Sequence, residues 1–371
     1  MAIDKVVSAS ITDSSVTDAK LSFNSNQYRN IIINGDMSVA QRGTSTASIT
    51  GSGYYGVDRF RLGVVSAGTW TMSQDTDVPT GQGFSSSAKL DCTTANGSLS
   101  ANSLLYFEQL IEGQNLQYLK KGTSSAESTT LSFWVKSNKT GTYICEIFDN
   151  DNTRTISKSY TISSADTWEK KTLTFAGDTT GALDNDNGAS FALNFWLVAG
   201  TDYTSGTLAT DWESRTQANR AVGQVNLADS TSNEWYVTGI QFEASDTASD
   251  FEFLPVDVNL NRCQRYYFQY LSGTSKTVGI GAYYTTTGVD TVIYFPVEMR
   301  SEPSIVATSG SSYYTIYVAS NGRTIDGSVA VNRTNKQSTQ IYATAASDTA
   351  GRAGLWTSTN SSASIAFSSE L

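Results

Sequence analysis

The sequence predicts an all-β protein: an antiparallel β-sandwich, then a second, smaller β-sandwich, with a short extended segment in front. Three observations predict it. Apolar residues recur at every second position in run after run, Gly-, Asn- and Asp-rich turns separate the runs, and almost no stretch carries a helical period. A sheet with one apolar face needs a partner to cover it, so stacked layers are the expected architecture. The chain has 371 residues, room for two or three domains at roughly 150 residues each.

The first element, residues 1–28, differs from the rest. Ile11, Val16 and Leu21 are spaced by five and separated by Ser, Thr and Asp, a spacing that fits neither strand nor helix. The near-repeat Ile11-Thr12-Asp13-Ser14 and Val16-Thr17-Asp18-Ala19 offers too little apolar area to fold alone. It is expected to be disordered in isolation or ordered against neighbouring chains, as a segment that docks the protein onto a larger assembly.

Residues 29–254 read as strand after strand. Leu131, Phe133 and Val135 alternate with Ser132, Trp134 and Lys136; Phe191, Leu193, Phe195 and Leu197 alternate with Ala192, Asn194, Trp196 and Val198. The runs Tyr143–Phe148, Lys171–Phe175 and Trp235–Phe242 continue the pattern. One or two helical turns are expected at Gly113–Lys121, where Leu116 and Leu119 are three apart. A boundary falls near Pro255. Residues 255–272 read as a connector, with a short helix or tight link at Val258–Tyr267. Glycines at 273, 279 and 281 then open residues 273–371, where Val292–Val297 and Tyr313–Val318 are strands of the smaller sandwich. No repeat of 20 to 50 residues appears, against a β-helix or propeller.

Composition narrows the chemistry. There is no histidine, which removes Ser-His-Asp and Cys-His triads, the two-histidine zinc motif and any imidazole proton shuttle. Cys92, Cys145 and Cys263 form no Cys-x-x-Cys pair, so neither a thiolate zinc site nor a redox dithiol has its spacing and buried thiols are expected. With 25 basic against 35 acidic residues the net charge is −10, which repels phosphate backbones and anionic lipid. No nucleic-acid partner and no membrane insertion are expected. The first residues lack a basic stretch followed by an apolar run, so a soluble product without an export signal is expected.

Paired carboxylates need no histidine, but nothing in the sequence marks a buried pair, and no enzymatic activity is expected. The runs Asp149-Asn150-Asp151-Asn152 and Asp184-Asn185-Asp186-Asn187-Gly188 offer the oxygens calcium prefers, yet neither continues to the glutamate of an EF-hand. They read as Asx turns, as does Gly177–Gly181, and no metal or cofactor is expected. Aromatics are numerous, at 11% of the chain against 16% charged residues, and flat rings stack on the apolar C–H faces of sugars. Tyr54 and Tyr55, flanked by Gly51, Gly53 and Gly56, sit at a loop or strand start where a ligand would reach them and are the candidate ligand-binding residues. Covering a sheet edge is the plainer role for them. Trp134 and Trp196 face away from aliphatic runs, so a loop or subunit is expected to cover them.

Several ordered motifs carry a resemblance. Asn30–Gly43, followed by Gly56-Val57-Asp58-Arg59-Phe60, then Phe107–Leu116, Leu131–Ser137, Thr167–Lys171, Gly223–Leu227, Val237–Glu243 and Asn261–Tyr267, is similar to the carbohydrate-binding-module-like jelly roll of bacteriophage tail-fibre and other virion appendage proteins. The likeness covers about residues 29–270; beyond it only Phe295–Pro303 resembles a tail-fibre ending. The resemblance implies a jelly roll in residues 29–254 and a virion protein of the tail. It further implies a homotrimer that docks on other virion proteins through residues 1–28 and holds host surface polysaccharide through several weak sites. A head fibre, decoration or connector protein that recognises nothing is the alternative it leaves. Related modules often hold calcium through an acidic residue of the last strand, and Thr238-Gly239 stand in that place here.

Overall fold

The computed structural model describes residues 28–371; the expected attachment segment, but for Tyr28, lies outside the described residues. Among the described residues four antiparallel sheets account for the fold. In the first, the strands lie in the order Ser45–Ile49, Thr69–Asp75, Ser87–Thr94, Glu234–Ala244, Thr129–Ser137, Glu169–Phe175. The second runs Glu213–Ser214, Arg154–Ile162, Gly141–Asp149, Ala189–Ala199, Leu104–Glu112, Arg61–Val65, Gly53–Tyr54. They stack as the jelly-roll sandwich.

The alternation of each strand decides what lies between the layers. Leu131, Phe133 and Val135 of one sheet meet Phe107, Leu193 and Phe195 of the other, all fully buried. Phe60 stacks on Phe107 with centroids 4.5 Å apart, and Trp235 meets Phe107 edge-on at 5.7 Å. Offset and edge-to-face contacts of this kind add to the area that large rings bury. Gly113–Asn115 and Gln117–Leu119 are short 3-10 turns whose Leu116 and Leu119 plug one end of the core.

Strand Ala189–Ala199 is buried along nearly its whole length, because the outer face of its sheet is also covered. The segment from Thr201 to Val225 folds back over it, placing Tyr203 and Ala221 against Trp196 and Ile144. The expected cover over Trp196 is therefore a loop of the same chain. Trp134, on the other sheet, stays half-buried and open on its outer side.

Helix Val256–Gln264 follows Pro255. Asp257 in its first turn and Arg262 in its last complement the helix dipole. Its buried Asn259 donates to Asp36 and Ser38 and accepts from the Asn34 amide, which fixes the helix against the turn at residues 34–38. The remaining residues build a three-stranded sheet (Tyr267–Ser272, Ser364–Ser368, Ser304–Ala307) and a seven-stranded one. Tyr283, Tyr314, Ile316, Ile341, Trp356 and Phe367 are the large side chains of the second core. Cys92, Cys145 and Cys263 are buried and free.

Candidate functional site: an aromatic row on the outer sheet face

The outer face of the first sheet carries the arrangement best suited to hold a ligand. Strand register sets it. Tyr236 pairs with Lys89 on one neighbour and Lys136 on the other; Trp134 pairs with Lys170, so Trp168, two residues earlier, falls beside Lys136. Side chains that are cross-strand partners project to the same face at about 5 Å spacing. The result is a row, Lys89, Tyr236, Lys136, Trp168, across four strands, with Trp134 in the next row beside Thr238 and Lys170.

Tyr236 is the buried floor of this row. The Lys136 ammonium lies 4.2 Å from its ring centroid and the Lys89 ammonium 5.2 Å, distances at which a cation is drawn to a ring face. Trp168 stands edge-on to Tyr236 at 6.2 Å. Its indole N–H donates to the Asp77 carboxylate at 2.8 Å, and Lys136 bonds the other oxygen of the same group. Partial burial works against ionisation of Asp77, but these two donors win and hold its carboxyl below the usual range. Lys89 also pairs with Glu234 at 2.6 Å. Burial, against the pull of Lys89, pushes the Tyr236 phenol up to about 12, so it stays a neutral donor at any working pH. Further along the same strand Gly239 takes φ +62°, a left-handed turn open to glycine, and the Phe84 ring lies against it. Phe84 packs with Phe251 and Phe253 at 5.1 Å each.

Two half-buried indole rings, fixed ammonium groups and a carboxylate on a flat sheet make a surface that stacks on an apolar face and bonds hydroxyls around it. Among the described residues no three Asp, Glu or Cys side chains gather to hold a metal ion, and no helix is long and apolar enough to cross a membrane.

Tyr54 and Tyr55 do not join this row. Tyr54 lies in the joint between the sandwiches, where its hydroxyl donates to the Leu371 carbonyl at 3.0 Å and the Arg42 guanidinium sits 5.4 Å from its ring. Tyr55 folds back so that its hydroxyl donates to the Gly51 carbonyl at 3.1 Å. Both hydroxyls are thus engaged within the protein. Sequence alternation places Trp134 and Lys136 on one face, and Tyr236 and Trp168 fall in runs that the sequence singles out, but nothing local joins them to each other or to Lys89 and Asp77. Their grouping depends on register between strands up to about 150 residues apart, which no local pattern reveals.

Seven of the eight motifs that carry the resemblance fall in two groups, and Gly223–Leu227 lies apart, with the Val225 N–H bonded to the Thr142 carbonyl of the second sheet. Leu131–Ser137, Thr167–Lys171 and Val237–Glu243 lie in or beside this sheet. Asn30–Gly43, Gly56–Phe60, Phe107–Leu116 and Asn261–Tyr267 meet at the joint instead. There Gln109 exchanges two hydrogen bonds with the Ile33 backbone at 2.8 and 2.9 Å, Arg265 is bidentate to Glu112 at 2.9 and 2.8 Å, and the Arg59 guanidinium lies 3.4 Å from the Tyr266 ring while pairing with Glu370.

No family model matches the chain, and no curated protein matches it. Among solved structures, the chain is similar in part to the enzymatically active domain of bacteriophage CBA120 tailspike protein 4 (17% identity, 59% of this chain and 22% of that one, TM-score 0.30). It is also similar to a putative sugar binding protein from Bacteroides thetaiotaomicron (12% identity, 58% of this chain and 100% of that one, TM-score 0.30). A third is the family 11 carbohydrate-binding module of a Clostridium thermocellum cellulase (12% identity, 53% of this chain and 97% of that one, TM-score 0.27). The matched region spans about a fifth of the tailspike chain, and at these scores no ligand or activity passes from these proteins to this one.

Proposed function

We propose that this protein is an adhesin of a virion appendage that holds host cell-surface polysaccharide on the outer face of its first sheet. The observation that carries the reading is the in-register row of Lys89, Tyr236, Lys136 and Trp168 with Trp134 alongside. A pyranose laid on Trp168 or Trp134 covers ring surface with its C–H face, while its hydroxyls meet Lys89, Lys136, Asp77 and Glu234. Those polar groups already hold one another, so they need little ordering when the sugar arrives.

An open, flat site of this kind binds weakly, near millimolar or about −4 kcal/mol. Adhesion comes from copies. In the proposed homotrimer, docked through residues 1–28 on other virion proteins, three linked sites raise the total through effective concentration. The mechanism is retention and not cleavage.

The test is binding to immobilised host polysaccharide by wild type, Trp168→Ala, Trp134→Ala and the double variant, each checked for wild-type circular dichroism. A loss of tenfold or more in the single variants and more in the double is expected. Undiminished binding by a folded double variant sinks the site, and absence of wild-type binding to host cells favours a non-recognising head fibre, decoration or connector protein. New reducing ends released from the polysaccharide would replace adhesion by hydrolysis.

A further inference from the structure

The seven-stranded sheet of the second sandwich presents an apolar outer face that no other element of the described residues covers. Its strand order is Asn321–Ile325, Tyr314–Val318, Ala353–Ser358, Thr277–Tyr283, Gly288–Tyr294, Ser338–Thr344, Ala330–Asn332. Tyr317 pairs with Leu355, and Leu355 with Ile280, so three exposed apolar side chains stand in one line across neighbouring strands. Val292 and Tyr294 on the next strand and Tyr342 beyond continue the surface, with Tyr284 at the hairpin. Ile280 is 67% exposed and Tyr294 77%.

From these exposures the seven side chains offer about 700 Å² of surface. The largest patch on an ordinary monomer covers about 300–600 Å², and a standard interface takes about 800 Å² from each partner. The face is also nearly free of charge. Asp290 is the carboxylate that its paired strand positions place there; the Gln340 amide bonds it and also accepts from the Arg333 guanidinium at 2.6 Å, so the charges at this edge are one of each sign and offset each other. On a chain of net charge −10, this is where a second −10 chain approaches without meeting a field of like charge. Tyrosine enrichment and charge depletion are the composition of an interface centre. Ile280, Val292 and Leu355 are branched and offer no flat ring to a sugar, whereas they interdigitate with another sheet at about 10 Å spacing.

We propose that this face is buried against other copies of this chain and is the contact that assembles the oligomer. The proposal rests on the multivalent reading above for the presence of further copies: a single-chain wild type removes both, folded variants that keep the wild-type mass remove this contact alone, and glycan binding by Trp168 and Trp134 variants tests the sugar site separately. Light scattering or sedimentation at about 10 µM, where an interface of micromolar affinity is largely associated, is expected to give wild type a mass that is a multiple of 39.9 kDa. Ile280→Lys with Leu355→Lys is expected to return a single-chain mass with unchanged circular dichroism; a gentler pair, Tyr294→Ser with Tyr317→Ser, serves if the first misfolds. A wild type that is a single chain at this concentration overturns the proposal, as do folded variants that keep the wild-type mass. A single-chain wild type whose glycan retention falls in the tyrosine pair would make the face a second sugar platform and overturn it equally.

Discussion

Lys121 shows how a polar group is kept inside a β-sandwich. Its ammonium is nearly fully enclosed and bonds the Asp149 carboxylate at 2.6 Å, the Asp178 carboxylate at 3.1 Å and the Thr180 and Gly181 carbonyls at 2.9 Å each. The Asx run that opens at Asp149 and the turn Gly177–Gly181, which holds Asp178, read from sequence as turns. They do turn the chain, but the Asp149 and Asp178 carboxylates are aimed inward at this cation. The sequence hid this because Lys121 lies in a separate loop, 28 positions before Asp149 (121 against 149). Asp178 keeps the bidentate Arg154 at 2.7 and 3.1 Å if the lysine is lost, whereas Asp149 keeps only neutral donors from Asn152. Lys121→Met preserves the stem and removes the charge. It is expected to cost about 3 kcal/mol, the loss that follows from stranding one buried charge. Urea titration measures it, and a midpoint unchanged from wild type would show that Asp149 needs no cation.

At the scale of elements, the sequence revealed the strands better than it revealed what covers them. Period-two alternation placed Leu131–Val135 and Phe191–Leu197 in strands, and Trp196 opposite an aliphatic row called for a cover. The cover itself, Thr201 to Val225, is a polar stretch with few apolar side chains, so no local pattern marked it. It is held by chemistry more than by area. Glu146, fully buried in the middle of the sheet, accepts from Arg220 at 2.7 and 2.9 Å, from Trp196 at 2.9 Å, from Asn194 at 3.0 Å and from Thr155 at 2.7 Å. Burial works against this carboxylate, but the Arg220 charge and the ring of donors hold it below its usual range. Breaking one side of such a pair costs about 3–5 kcal/mol because the other charge stays buried. Arg220→Met is therefore expected to free the segment, making it the first place a protease cuts and opening Trp196 to a fluorescence quencher. Adding Glu146→Gln should restore part of the loss, since the stranded charge is then gone. If the single variant resists proteolysis as wild type does, packing of Tyr203 and Ala221 alone holds the cover.

Across the whole molecule, the joint between the sandwiches couples folding to pH. The boundary near Pro255 was legible from the proline and the change of pattern, but the ionic contacts across it were not, because Arg42, Asp58 and Arg59 lie more than 300 positions from Glu370. Burial pushes the Asp58 carboxyl up to about 6, against the Gln41 donors and the Arg42 charge. A carboxyl raised in the folded state binds its proton there before it does unfolded. Between roughly pH 4 and 6 the folded protein carries that proton and the unfolded chain does not, so this group makes stability fall as pH rises through the window and costs about 3 kcal/mol above it. Glu112, Glu146 and Asp178 act in the opposite sense. Each is depressed by its charged partner and donors despite burial, so each contributes stability that is present above the unfolded carboxylate range and is lost as pH falls below about 4.5. The two trends cross, and the thermal midpoint of wild type is expected to peak near pH 5 and decline on both sides. Asp58→Asn removes the rising carboxyl while keeping an oxygen for one Gln41 donor. Its midpoint should decline less from pH 5 to 7 than that of wild type, the slope that remains being that of Glu108, whose carboxyl burial also raises, with the acid limb below pH 4.5 unchanged. Parallel curves for the two proteins across that range would mean that Asp58 titrates as an ordinary carboxyl and that the joint does not set the neutral-side slope.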